Sequence, residues 1–180
     1  DDHQVVFLAQ QWPYGEDVER GVYQEQFFEQ FVAFAEDEGH KVFASGSVNS
    51  YTSSISNAYN LPTDEDVPTN DYRLSLRATG TGLAVRLEID KDDSHAAFDA
   101  FEGDRQEIDD ELRSRISGNA EITWERGSED IVRDVISVQY SEGEFDLHAV
   151  NRYDTYHRWL LSAADALRSV LGERIRKQAK

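Results

Sequence analysis

Three arginines and one glutamate on a single β-hairpin are the residues whose types and spacing point to chemistry. Tyr72, Leu74, Leu76 and Ala78 alternate with Arg73, Ser75 and Arg77, and Leu83, Val85, Leu87 and Ile89 alternate with Arg86 and Glu88. Successive side chains of a strand point to opposite faces, so this pattern predicts a hairpin with one apolar and one polar face, turned by Thr79-Gly80-Thr81-Gly82. Arg73, Arg77, Arg86 and Glu88 are then expected on one side of a sheet. Guanidinium groups grip carboxylate and phosphate oxygens through forked N–H donors. Such a face can receive a phosphate or a partner's carboxylates. It can also be neutralised by cross-strand pairing with Glu88 and nearby acids.

Other reactive constellations fail on spacing. A metal-dependent nuclease places an acid and an acid-x-Lys on adjacent strands, where two carboxylates hold Mg²⁺ and the lysine assists the attacking water. Here the strand ends Glu88-Ile89-Asp90-Lys91, and Ile89 stands where the second acid is required. A one-residue slip turns the side chain to the other face. A divergent hydrolase would instead have to use Glu88 and Glu125 around a divalent cation. The histidines, His3, His40, His95, His148 and His157, form no H-x-x-x-H or H-x-H pair. The acid runs Asp64-Glu65-Asp66 and Asp90-Lys91-Asp92-Asp93 match no EF-hand loop. There is no G-x-S-x-G nucleophile elbow. Gly80-Thr81-Gly82 lies in a hairpin turn, not before a helix, so it is no phosphate cradle. No cofactor is expected.

The arginines stand against an acidic background. Asp and Glu number 36 against 18 Lys and Arg, for a formal net charge of -18, and only Lys41, Lys91, Lys177 and Lys180 are lysines. Dispersed acids with few lysines are expected of a halophilic archaeal protein. In molar salt the Debye length falls to about 3 Å and self-repulsion is screened. The same charge argues against indiscriminate DNA binding, which needs positive potential, but not against a local basic patch. Cysteine is absent, which removes disulfides, thiolate metal sites and cysteine nucleophiles. No apolar run approaches the roughly 20 residues of a membrane helix, and no signal peptide is apparent. A cytoplasmic protein is expected, its start at Asp1 reflecting a trimmed terminus or a piece of a longer protein.

The elements that must position the hairpin follow from periodicity. Tyr23, Phe27, Phe31 and Phe34 predict a helix over 17–38 with Gly39 as its stop. Ala97, Phe98, Phe101, Ile108 and Leu112 predict a second over 94–115, weakened at Gly103. Tyr156, Trp159, Leu160, Ala163, Leu167, Val170 and Leu171 predict a third over 153–176, whose basic end complements the helix dipole. Strands are expected over 121–126 and 131–140, and irregular ones over 42–44 and 48–54. Residues 61–71 form a loop. Residues 1–16, with Val5-Val6-Phe7-Leu8 and Trp12, form a linker or an extra strand. The expected fold is one α+β domain over 1–180. It has an antiparallel or mixed β-sheet with about three α-helices packed mainly on one face.

A series of short motifs runs through this frame: Arg86-Leu87-Glu88-Ile89, Phe98-Asp99, Arg105-Gln106-Glu107-Ile108-Asp109 and Trp124-Glu125-Arg126, followed by Arg133 and Trp159. In order and spacing it resembles the DUF4268 family, whose members carry R-V-E-L-Y-I, F-D, K-x-x-I-E and W-E-R. The resemblance spans roughly 17–176. Ser94-His95 replaces the family's Asn-Lys pair, Arg105 and Asp109 replace its Lys and Glu, and an insertion lies near 113–119. The resemblance implies a partner of nuclease-like domains in restriction or defence systems, with no defined activity of its own. It places Phe98, Ile108 and Trp124 in the core and leaves Arg86, Glu88, Glu125 and Arg126 as charged strand positions, candidates for a site or a buried salt network. The expected function is a non-catalytic interaction domain binding nucleic acid or a partner protein through Arg73, Arg77, Arg86, Arg126 and Arg133. The alternatives are the divergent hydrolase and a structural module that homodimerises through Trp12 or the last helix.

Overall fold

The computed structural model describes residues 15–40, 54–56, 72–80, 82–90, 95–128 and 133–178. The expectations for 1–14, for strands 42–44 and 48–53, for the loop 61–71, and for Trp12, Lys91 and Ser94 lie outside these residues. A sheet of four full strands organises the chain: β2 (Tyr72–Ala78), β3 (Leu83–Asp90), β4 (Ala120–Glu125) and β5 (Arg133–Tyr140). A three-residue strand, β1 (Ser54–Ser56), extends one edge, and the order is β1-β2-β3-β5-β4. Every pairing is antiparallel. The predicted hairpin forms as read, with Tyr72 opposite Ile89 and Ala78 opposite Leu83.

Residues opposite one another share a face. Leu74, Leu76, Val85, Leu87, Ile136, Val138 and Ile122 therefore line one side, and all are buried. Four helices pack there: α1 (Gly15–Asp37), α2 (Ala96–Gly103), α3 (Arg105–Arg115) and α4 (Tyr153–Gln178). Phe27 and Phe31 of α1, Phe98 and Phe101 of α2, Ile108 and Leu112 of α3, and Trp159, Leu160 and Leu167 of α4 join the strand residues in one core. Burying each large apolar side chain contributes about 1.5–3 kcal/mol.

Two boundaries show local chemistry deciding the outcome. Gly39, at φ 83°, lets α1 end with Gly39 N–H donating to Glu36 O (2.9 Å) and His40 N–H to Ala35 O (2.8 Å). The predicted single helix over 94–115 is two helices. At Gly103–Asp104 the chain leaves helical geometry (Asp104 φ -103°, ψ 15°), and Asp104 N–H tightens onto Phe101 O (3.0 Å). Asp104 O then accepts from Ile108 N–H (3.0 Å) and starts α3. Phe98 and Phe101 before the break and Ile108 and Leu112 after it are all buried in the core. Among the described residues, no helix is long and apolar enough to cross a membrane.

Candidate functional site

The side of the sheet away from the core carries Arg73, Ser75 and Arg77 from β2, with Arg86, Glu88 and Asp90 from β3. Opposite these stand Arg133, Val135 and Ser137 from β5, and Thr123 and Glu125 from β4. Glu88 is its hub. The residue is 6% exposed, and both carboxylate oxygens are engaged. Ser75 Oγ donates to Oε1 (2.8 Å), and Arg77 Nη2 stands 3.5 Å from the same oxygen. Arg133 Nη1 donates to Oε2 (3.0 Å), and its Nε donates to Asp90 Oδ1 (2.6 Å). A carboxylate this far from water needs such partners, because unpaired burial of a charge is costly. Arg133 is held firmly charged, its pKa raised first by the Asp90 hydrogen bond and then by the charges of Asp90 and Glu88.

Arg86 is placed differently. It sits at the centre of the face, opposite Ser75 on one side and Ser137 on the other. No ion pair joins it to a described acid. Burial lowers its pKa first and the neighbouring Arg77 charge lowers it further, with Glu125 and Glu88 acting only through space to offset this. A guanidinium stays protonated regardless, so the cost of this burial falls on a charged group. Arg73 faces Glu88 in register but forms no ion pair with a described acid.

The other predicted site residues separate. Arg126 leaves the sheet face altogether. Its guanidinium pairs with Asp99 and with Glu102 (3.0 Å) on α2 and lies over the Phe98 ring. Glu125 shares the face with Glu88, but both are opposite Val135, so a whole strand lies between them. At the usual strand spacing their backbones are about 10 Å apart. Among the described residues, no three His, Asp or Glu side chains gather as a metal site would require.

Sequence reasoning missed a second polar cluster. Asp134 lies on the core face, in phase with Ile136 and Val138, and is 1% exposed. It accepts from Gly127 N–H (2.7 Å) and from His95 Nδ1 (2.8 Å), which precedes α2 in the left-handed region at φ 52°. A charge in phase with inward apolar residues was the available signal, since such a group must find a partner. The motif residues of α2, α3 and β4 also form one unit. Trp124 Nε1 donates to Asp109 Oδ1 (3.0 Å), Arg105 lies over the indole, and Phe98 packs edge-on against it.

No curated protein and no solved structure matches this chain. A family model described as "Domain of unknown function (DUF4268)" matches residues 23–175, the span from α1 to α4 that builds this core and this sheet face. The chain belongs to the DUF4268 family.

Proposed function

We propose that this chain is a non-catalytic interaction domain that binds an anionic partner, nucleic acid or protein, through the arginine-bearing face of its sheet. One observation carries this: Arg86 and Arg73 have no ion pair with a described acid, while Glu88 and Asp90 beside them are occupied by Arg77 and Arg133. In a chain of net charge -18, cations on one face without an ion pair to a described acid are suited to an external anion. The overall charge favours a partner met at a few points over one that lies along many phosphates. A restriction or defence assembly in a salt-rich archaeal cytoplasm is the proposed setting, drawn from family resemblance and composition.

The experiment is a fluorescence-anisotropy titration at fixed ionic strength. Fluorescein-labelled duplex, single-stranded oligonucleotide and glutamate-rich peptide are the probes. At least one should bind. Replacing Arg73 and Arg86 together by Gln should weaken that probe by about tenfold or more, as two charge-assisted hydrogen bonds are lost. Equal binding by the wild type and the double variant, or no binding of any probe, would remove the basis of the proposal.

A further inference from the structure

Three polar atoms on the sheet face are closed to solvent and have no hydrogen-bond partner among the described residues: Arg77 Nε, Arg86 Nε and Ser137 Oγ. Buried polar groups are nearly always paired, so each orphan calls for an explanation. These three belong to neighbouring positions. Arg86 and Ser137 are direct partners across β3 and β5, and Arg77 stands on β2 diagonal to Arg86. Ser137 is 0% exposed. Its neighbour Thr123 accepts from Gln139 Nε2 (3.4 Å) and makes no hydrogen bond to the serine. The adjoining acid is also used, since Glu88 is divided between Ser75, Arg77 and Arg133.

We infer that Arg77, Arg86 and Ser137 form a recess for one phosphate-type oxyanion, either free phosphate or a phosphate monoester. Three donors on three adjacent strands suit a tetrahedral group with several acceptor oxygens. A carboxylate can also accept three donors, but its acceptor sites lie in one plane, whereas the oxygens of a phosphate diverge in three dimensions. The charge fits as well, because a phosphate monoester near neutral pH carries between one and two negative charges, and Arg86 has no ion pair with a described carboxylate. Arg77 and Arg86 are both partly exposed, so rotation of their side chains is the route by which an anion would reach Ser137. This inference rests on the interaction-domain proposal and names the group that the face would hold.

The test is calorimetric titration of the 180-residue chain with inorganic phosphate at constant ionic strength, with thermal unfolding followed in parallel. One phosphate should bind per chain and raise the unfolding temperature. Arg86→Gln and Ser137→Ala should each weaken binding by about tenfold or more, the effect of one hydrogen bond to a charged group. Ser137→Ala removes only a hydroxyl and should fold, so loss of the phosphate-induced thermal shift in a folded variant is a clean readout. A 5′-phosphorylated oligonucleotide that outbinds its 5′-hydroxyl twin only while Ser137 is present supports the recess with a strand end as source. Phosphate binding without that preference supports it with free phosphate. Acetate binding as tightly as phosphate, or phosphate binding unchanged in both variants, overturns it. Polyanion binding through Arg73 without phosphate binding overturns the recess alone. Phosphate binding by a chain that takes neither oligonucleotide nor acidic peptide overturns the interaction domain and keeps the recess.

Discussion

His157 makes the stability of the core depend on pH in a way that can be worked through. It lies on α4, 3% exposed, among the rings of Phe27, Phe31, Phe34 and Tyr153. Its Nε2–H donates to Phe27 O (3.0 Å), tying α4 to α1. Burial lowers its pKa to about 4, outweighing the hydrogen bond to Phe27 and the charge of Asp154, which act in the other direction. An unfolded histidine titrates near 6.5. Below that pH the unfolded chain takes up a proton that the folded chain refuses. Stability is therefore fully present above about pH 6.5 and declines as pH falls towards 4, with a limiting slope of about 1.4 kcal/mol per pH unit. Between pH 7.5 and 5 the loss from this one group comes to about 2 kcal/mol. Many carboxylates also titrate on the acid side, so the assay is a difference. Urea unfolding of the wild type and of His157→Phe is followed at half-unit steps from pH 7.5 to 5. Phenylalanine suits the aromatic surroundings but loses the bond to Phe27 O, which should cost about 1 kcal/mol at pH 7.5. The gap should then close and reverse by pH 5. Parallel pH profiles for the two proteins would refute the argument.

Further outcomes follow from the sheet face and the charge balance. Glu88→Gln should destabilise the fold by about 1–3 kcal/mol in urea unfolding, because Arg77 and Arg133 lose their shared anion while both still reach solvent. The same variant frees Arg77 and should tighten phosphate binding several-fold. Ser137→Ala should raise the stability of the anion-free protein by about 1 kcal/mol, since an unpaired buried hydroxyl is removed. With a net charge of -18, unfolding temperature should rise as KCl is increased from 0.1 to 3 M, and a fall would contradict a surface adapted to salt.

The hairpin was legible because its alternation is strict and its turn is short, so register needed no distant information. α1 and α4 were legible for the same local reasons, an aromatic or aliphatic stripe at helical spacing. The split at Gly103–Asp104 was visible only as a weak point, because tertiary packing decides whether a glycine breaks a helix or is tolerated. The site was less legible. Arg73, Arg77, Arg86 and Glu88 were placed on one face correctly, yet the arrival of Arg133 at Glu88 depends on β5 pairing with β3 across 45 residues. The sequence motif grouped Arg126 with these arginines, but the strand ends before it, and α2 offers Asp99 and Glu102 nearer at hand. The orphan hydroxyl of Ser137 had no sequence signature, since a serine on a polar strand face ordinarily meets water.

Side-chain ¹⁵Nε–¹Hε correlation spectra recorded during a phosphate titration at constant ionic strength test the central claim most directly. The claim is that the arginine-bearing sheet face receives an anion. The Nε–H signals of Arg77 and Arg86 should shift together and saturate at one phosphate per chain, while those of Arg126 and Arg174, already paired to acids on the helices, stay in place. Signals of Arg77 and Arg86 that remain still, or that drift no more than those of the helix arginines, would contradict it.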